Sequence, residues 1–191
     1  MNSCAFFNPS GTFFPGTFFR YGSRSGSNTD AAGNVTTYAY DANGDTHQLY
    51  AHNNLASFTT GAGGVDTLSF ARGSGADTVV ENIAAGGQDI VQYVSNVASD
   101  QLWFQQSGND LVVSIMGTSD SETFTNWYQS SANQTAEFIA GDSKVLLASQ
   151  VDNLVSVMAS FSPPSMGQTS LSALSTDEQA ALATPLAANW Q

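Results

Sequence analysis

The stretch that decides the fold lies at residues 61–91 and contains three related units, GAGGVDTLS (61–69), RGSGADTV (72–79) and GGQDIV (86–91). The first unit fits a nonapeptide of the form G-G-x-G-x-D-x-U-x, with Ala62 in place of the second glycine. Glycines allow tight turns and leave backbone carbonyl oxygens uncovered. Each aspartate adds a carboxylate, and Ca²⁺ prefers a cage of such oxygens. The units therefore predict turns that bind calcium, each followed by a short strand.

Strands this short cannot bury a core alone, so they must stack on one another. The nonapeptide is typical of calcium-binding parallel β-rolls. Two features depart from it: Asp66, Asp77 and Asp89 lie eleven and twelve residues apart instead of nine, and Arg72 replaces an expected glycine. A plainer interpretation is three glycine-rich turns with solvated aspartates, since both residues are common in turns. We predict an all-β fold, a short parallel β-roll that continues into β-hairpins and is capped by a C-terminal amphipathic helix.

The composition is strongly acidic, with 16 Asp and Glu against 4 Lys and Arg and a net charge of −12. There is no basic patch, so we expect no binding to nucleic acid. Clustered carboxylates repel one another unless a cation lies between them, which suits a partner such as Ca²⁺. No apolar run approaches the roughly 18–20 residues of a membrane span, so none is predicted.

The first segment, residues 1–27, is predicted to be a poorly ordered leader; the alternatives are an edge strand that lies on the roll and the start of a fragment of a longer chain. It is rich in phenylalanine but is interrupted by Pro9, Gly11, Pro15 and Gly16, too often for a helix.

Residues 28–60 are predicted to form a separate hairpin segment. Residues 36–40 have the β-branched and aromatic content of a strand, and Asn43-Gly44 is a strong hairpin turn signal. The segment resembles a single tyrosine–aspartate (YD) repeat of Rhs-type shell proteins, in which the repeat is architectural. The matching positions are Gly33-Asn34, Tyr38, Tyr40-Asp41 and Asn43-Gly44.

Apolar residues with a period of two predict further strands downstream. Residues 101–116 read as a hairpin that turns at 107–110. A strand is expected at 122–128, and another pair at 135–139 and 144–147.

The period changes to that of a helix at residues 149–160, with Ser149 as its N-cap. We expect this helix to cap the open end of the roll and to shield the last edge strand. In the tail, Ser175 and Glu178 predict a capping box before a short helix that Pro185 ends.

Several motifs follow one another in a fixed order through residues 61–164. They are the three Gly/Asp units, Leu102-Trp103-Phe104, Gly108-Asn109-Asp110-Leu111, Gly117-Thr118, Asn126-Trp127-Tyr128, and residues 150–161 followed by Pro163-Pro164. With them this stretch resembles the RTX (haemolysin-type) calcium-binding family, and more narrowly the calcium-binding-related region near the C-termini of large secreted bacterial proteins. The resemblance implies a β-roll with calcium between turns and export by a type I (ABC-transporter) machinery. It also implies that residues 165–191 form an uncleaved secretion signal and that the protein is extracellular.

The resemblance further implies a set of calcium ligands. They are the carboxylates of Asp66, Asp77 and Asp89, with carbonyl groups near Gly61, Gly63, Gly64, Gly73, Gly75 and Gly86.

The leading functional hypothesis is a calcium-binding module that folds outside the cell and supports secretion of a larger protein. The alternative is an extracellular adhesin or carbohydrate-binding module that stacks sugars of surface glycans on exposed aromatic side chains. Those side chains would be Tyr93, Trp103, Trp127 and Tyr128, for which core or cross-strand packing is the plainer role. We expect no enzymatic activity, because the sequence has no nucleophile elbow and no H-E-x-x-H motif.

Overall fold

The computed structural model describes residues 24–29, 35–40, 46–50, 58–59, 65–81, 88–94 and 96–191, and as far as residue 59 it describes the backbone only. Most of the predicted leader therefore lies outside the described residues. So do Gly33-Asn34, Asp41 and Asn43-Gly44 of the YD-like segment.

The described strands are β1 (Arg24–Thr29), β2 (Val35–Tyr40), β3 (Thr46–Tyr50), β4 (Phe58–Thr59), β5 (Thr67–Phe70), β6 (Ala76–Val80), β7 (Ile90–Tyr93), β8 (Leu102–Ser107), β9 (Asp110–Ile115), β10 (Ser121–Phe124), β11 (Glu137–Ile139) and β12 (Val145–Leu147). The α-helices are α1 (Ala148–Met158) and α2 (Thr176–Asn189).

The strands form two sheets, each with a parallel part. The first sheet has the order β1-β2-β3-β5-β7-β11-β12 and the second has the order β4-β6-β10-β9-β8. Strands β3, β5, β7 and β11 run parallel to one another, as do β4, β6 and β10. From β3 to β7 the chain alternates between the two sheets, so the inward side chains of both sheets share one interior.

The predicted fold class is wrong. Both sheets are mixed: β1, β2 and β3 pair antiparallel, as do β11 with β12 and β8, β9 and β10 with one another. Two helices of 11 and 14 residues complete a mixed α/β fold instead of an all-β parallel roll. The physical reason lies outside residues 61–91, where the nonapeptide pattern G-G-x-G-x-D does not recur. The apolar pattern there has the periods of hairpins and helices, and the chain folds accordingly.

The local predictions downstream are largely confirmed. Strands β8 and β9 form the expected hairpin, in which Ser107 lies opposite Asp110 and Gly108 turns with a φ of 63°. The predicted pair at 135–139 and 144–147 is observed as β11 and β12. The strand predicted at 122–128 is shorter, since β10 ends at Phe124 and turns follow it.

Helix α1 lies close to its predicted position and buries its apolar stripe. The buried residues are Val151, Leu154, Val155 and Met158. The predicted N-cap, Ser149, is wrong: the cap is Leu147, whose amide donates to the Gln150 side-chain oxygen at 3.1 Å. The helix packs against β8 and β12, which are the last strands of the two sheets. It therefore covers one edge of each sheet, as expected.

Helix α2 begins with the predicted capping box, in which Ser175 accepts from the Glu178 amide and Glu178 accepts from the Ser175 amide. The predicted stop at Pro185 is wrong, because the helix continues to Asn189. A proline inside a helix removes one backbone hydrogen bond. The burial of Leu182, Leu186 and Trp190 holds the last turns in place. Within the described residues, neither helix is long and apolar enough to cross a bilayer.

Candidate functional site

The first part of the predicted calcium site lies at the start of two neighbouring strands. Asp66 directly precedes β5 and Asp89 directly precedes β7, and these strands are parallel and in register. Both side chains are buried, at 2% and 3% exposure. The Asp66 amide donates to Oδ1 of Asp89 at 2.9 Å, and the Ile90 amide donates to the Asp66 carbonyl. The sheet therefore brings together two carboxylates that are 23 residues apart in sequence. We call Asp66 and Asp89 the aspartate pair.

The next strand of the sheet does not extend this row of carboxylates. Ala136 directly precedes β11 and lies opposite Asp89 in the register of β11 and β7. Its amide donates to the Asp89 carbonyl at 2.8 Å. The Thr135 hydroxyl donates to the same carbonyl. The row of acidic side chains thus ends at Asp89 because the sequence supplies alanine at the next position.

Four of the glycines predicted as ligands lie outside the described residues: Gly61, Gly63, Gly64 and Gly86. In the sequence, Gly61, Gly63 and Gly64 lie just before Asp66, and Gly86 precedes Asp89 by three positions.

Asp77, the third predicted carboxylate, does not join the aspartate pair. It belongs to β6, in the other sheet, and its side chain points between the sheets with 2% exposure. Its register partner on the parallel strand β10 is Glu122. Burial raises the pKa of Tyr93, and the charge of Asp77 contributes to the same shift. Tyr93 lies at the end of β7 that is far from Asp89. A strand rises about 3.3 Å per residue, so the two ends of β7 are about 10 Å apart.

The turn with Gly73 and Gly75 is held by a carboxylate that the sequence did not reveal. Oδ2 of Asp120 accepts from the Gly73 amide at 2.8 Å, and Oδ1 accepts from the Gly75 amide at 3.0 Å. Both glycines have a φ of 88°, a region that favours glycine. The Gly75 carbonyl accepts from the Ser121 amide, which makes it part of the sheet. Arg72 donates to the Met116 carbonyl at 3.0 Å. No motif in the sequence indicates this role of Asp120.

Replacing Asp120 by asparagine is expected to lower the free energy of unfolding by about 1–3 kcal/mol. An asparagine side chain has one acceptor oxygen, so one of the two glycine amides would face an NH₂ group instead. Urea unfolding followed by circular dichroism measures the effect. The matched control is Asp100→Asn, because Asp100 is exposed and makes no such bond. Equal midpoints for the two variants would contradict this role of Asp120.

Three polar side chains meet between the sheets: Asp77 from β6, Tyr93 from β7 and Glu122 from β10. The Tyr93 hydroxyl donates to Oε2 of Glu122 at 2.7 Å. Their exposures are 2%, 1% and 0%. Burial raises the pKa of Glu122 well above its usual range, and the charges of Asp77 and Asp120 raise it further, while the bond from Tyr93 opposes them. We call these three residues the interior acid cluster. No motif in the sequence indicates a role for Glu122.

The aromatic residues that suggested glycan binding are in the core. Tyr93, Trp103 and Trp127 are 1–3% exposed, and only Tyr128 is partly accessible. The Trp127 ring packs against Phe124, with centroids 5.9 Å apart. Core packing, the plainer role of these aromatics, is therefore confirmed for three of the four.

Within the part of the chain that the structure describes, no group of three or more His, Cys, Asp or Glu side chains is arranged to hold a metal ion. The aspartate pair supplies two carboxylates of the hard-oxygen type that Ca²⁺ prefers. Further oxygens would have to come from the glycine-rich stretches that precede it. A comparison with models of known protein families finds no match to this chain.

Proposed function

We propose that this chain is a calcium-binding module, and that Ca²⁺ binds at the aspartate pair together with carbonyl oxygens of the preceding glycine-rich stretches. The observation that carries the proposal is the burial of two carboxylates side by side at the start of adjacent parallel strands. Two such charges are costly to bury unless a cation or hydrogen bonds compensate them. The Asp66 amide supplies one bond to Asp89, and Ca²⁺ would supply the compensating charge.

The acidic balance of the whole chain supports the same proposal. A net charge of −12 weakens a compact state through self-repulsion, and a bound divalent cation reduces that repulsion. Calcium sites in extracellular modules have dissociation constants of about 10⁻⁴–10⁻³ M. Such a site is empty at the low calcium of the cytosol and filled outside the cell. Folding would then be favoured after export.

We further propose that the module is secreted through a type I (ABC-transporter) machinery and supports the export of a larger protein. The support for this is the sequence resemblance of residues 61–164. We propose no catalytic reaction for the module.

Calcium is expected to raise the free energy of unfolding by about 1.4–2.7 kcal/mol at 10 to 100 times the dissociation constant. Asp89→Asn should abolish most of this gain, because it removes one of the two charges. Asparagine keeps the side-chain oxygen that accepts from the Asp66 amide, so the variant should still fold. Urea unfolding with and without calcium measures both effects. A calcium concentration of about 10 mM is suitable, because it is about ten times the larger of the two dissociation constants given above.

The control for this experiment is Asp100→Asn, which removes the same charge at an exposed site and should keep the full response to calcium. An equal response of wild type and Asp89→Asn would contradict binding at the aspartate pair.

A further inference from the structure

A cavity of about 330 Å³ lies at the carboxyl ends of three parallel strands of the first sheet, β5, β7 and β11. Its lining includes Ser69 from β5, Gln92 from β7 and Ile139 from β11, which are neighbours in register. Adjacent strands lie about 4.8 Å apart, so these three side chains form a row about 10 Å long. Open α/β sheets often bind their ligands in the crevice outside the carboxyl ends of parallel strands.

The row lies on the face of the sheet that points away from the core. Val91 and Tyr93, on either side of Gln92, are buried in the core, and so is Phe138 beside Ile139. Because successive side chains of a strand point to opposite faces, Gln92 and Ile139 point outward. A ligand can therefore occupy the cavity without disturbing the packing between the sheets.

The turn between β11 and β12 forms a second wall of the cavity and is held by backbone hydrogen bonds. The Ala140 amide donates to the Lys144 carbonyl at 2.9 Å, and the Ser143 amide donates to the Ala140 carbonyl at 2.9 Å. The Gly141 amide donates to the Val97 carbonyl at 2.7 Å. Ser143 has a φ of 65°, in the left-handed region that favours glycine. Residues held in such conformations cluster at ligand-binding sites.

The lining carries polar side chains that the protein does not itself use. Among the hydrogen bonds between described residues, none involves the hydroxyl group of Ser69 or Ser143 or the side-chain amide of Gln92. Ser69 is only 3% exposed, and a polar group so far removed from water normally has a partner. Ser143 is exposed, so the lining extends from the sheet to solvent. A ligand in the cavity would supply the missing partner of Ser69.

The chemistry of the lining restricts the class of ligand. Among the described residues that line the cavity, none is charged. An anion would meet no positive charge in a chain of net charge −12, and a metal cation would meet no carboxylate. Hydroxyl groups of a ligand both donate and accept, as do the serine hydroxyls and the glutamine amide, while Ile139 offers an apolar surface to C–H groups. The volume is at the lower end of the range of about 300–1,000 Å³ for ligand sites, which suits a single sugar ring.

We propose that this cavity binds one neutral sugar unit, with the side chains of Ser69, Gln92 and Ser143 as its hydrogen-bond partners. The aspartate pair lies at the amino ends of β5 and β7, whereas the cavity lies at their carboxyl ends, so calcium is no part of the sugar site. The site gives the carbohydrate-binding alternative a place in the fold that involves neither Trp103 nor Trp127.

The test follows backbone amide signals of the ¹⁵N-labelled full chain by NMR, with calcium present throughout. The probes are the methyl glycosides of glucose, galactose, mannose, fucose and N-acetylglucosamine, each added to about 10 mM, which is about ten times a dissociation constant of 1 mM. We expect at least one of them to shift the amide signals of Gln92, Gly141 and Ser143 in a saturable manner. The absence of saturable shifts at these amides for all five sugars would overturn the proposal.

Two variants locate the binding. Gln92→Leu keeps the size of the side chain but removes its amide, and we expect it to raise the dissociation constant about tenfold. Ser143→Gly removes the hydroxyl, and glycine suits the φ of 65°, so this variant should fold and also bind more weakly. The matched control is Gln105→Leu, the same change at an exposed position of β8 in the other sheet, which should leave the dissociation constant unchanged. Binding to both cavity variants that equals binding to the control would overturn the proposal.

Discussion

Replacing Phe138 by alanine is expected to lower the free energy of unfolding by about 3–5 kcal/mol. Phe138 lies in β11 with 0% exposure and packs against three aromatic rings. Its centroid is 5.4 Å from that of Phe124, 5.6 Å from that of Phe104 and 5.8 Å from that of Trp127. Phe138 belongs to the first sheet, whereas Phe104 and Phe124 belong to the second, so the alanine leaves a cavity between the two sheets. Net stabilities are about 5–15 kcal/mol, and the variant should be close to the limit of folding.

Urea unfolding monitored by tryptophan fluorescence measures this effect, since Trp127 reports on the same cavity. Phe161→Ala is the matched control, because Phe161 is only partly buried at the edge of the core. We expect a clearly smaller loss there. If the two variants lost the same stability, the aromatic cluster would not be the centre of the core.

The second large effect is expected for Trp190→Ala, also about 3–5 kcal/mol. Trp190 follows α2, is 4% exposed, and packs on Phe104 with centroids 6.2 Å apart. The neighbouring Gln191 exchanges two backbone hydrogen bonds with Val145, at 2.8 and 3.0 Å. The tail therefore pairs with β12 and contributes to the core. Loss of the indole should loosen α2 as well as lower stability.

Thermal unfolding and limited proteolysis together test this prediction, with cleavage expected within α2. Met166→Ala is the control in the same tail: Met166 is 73% exposed, so its replacement should change stability by less than about 0.5 kcal/mol. Unchanged resistance of the Trp190 variant to protease would show that α2 holds its place without the tryptophan.

The position of the tail affects the proposal for secretion. Leu182, Leu186 and Trp190 are buried in the folded protein. A secretion machinery that recognises this segment would therefore have to do so before folding is complete. A calcium requirement for stable folding would provide that delay.

The sequence predicted best the structures that depend on neighbouring residues. The period-two pattern located β8, β9, β11 and β12, and the helical stripe located α1. The capping box at Ser175 located the start of α2. The end of α2 was missed because burial of Trp190 outweighs the hydrogen bond that Pro185 removes.

The candidate site was predicted only in part, because its composition depends on which strands pair. Asp66 and Asp89 meet through the register of β5 and β7, which their similar sequence units did suggest. Asp77 shares an inward face with Val79, two positions away, and this alternation could have placed it inside. Its pairing with Glu122 joins segments 45 residues apart, and no local pattern in the sequence indicates it.

The most direct test of calcium binding at the aspartate pair is a crystal structure from crystals grown with calcium chloride, with anomalous diffraction data. The account predicts an anomalous peak about 2.3–2.6 Å from carboxylate oxygens of Asp66 and Asp89, with further oxygens from the preceding glycine-rich stretches. The same map from Asp89→Asn should lack the peak. A well-ordered structure with no peak at this pair, or with calcium bound only at Asp77 and Glu122, would contradict the account.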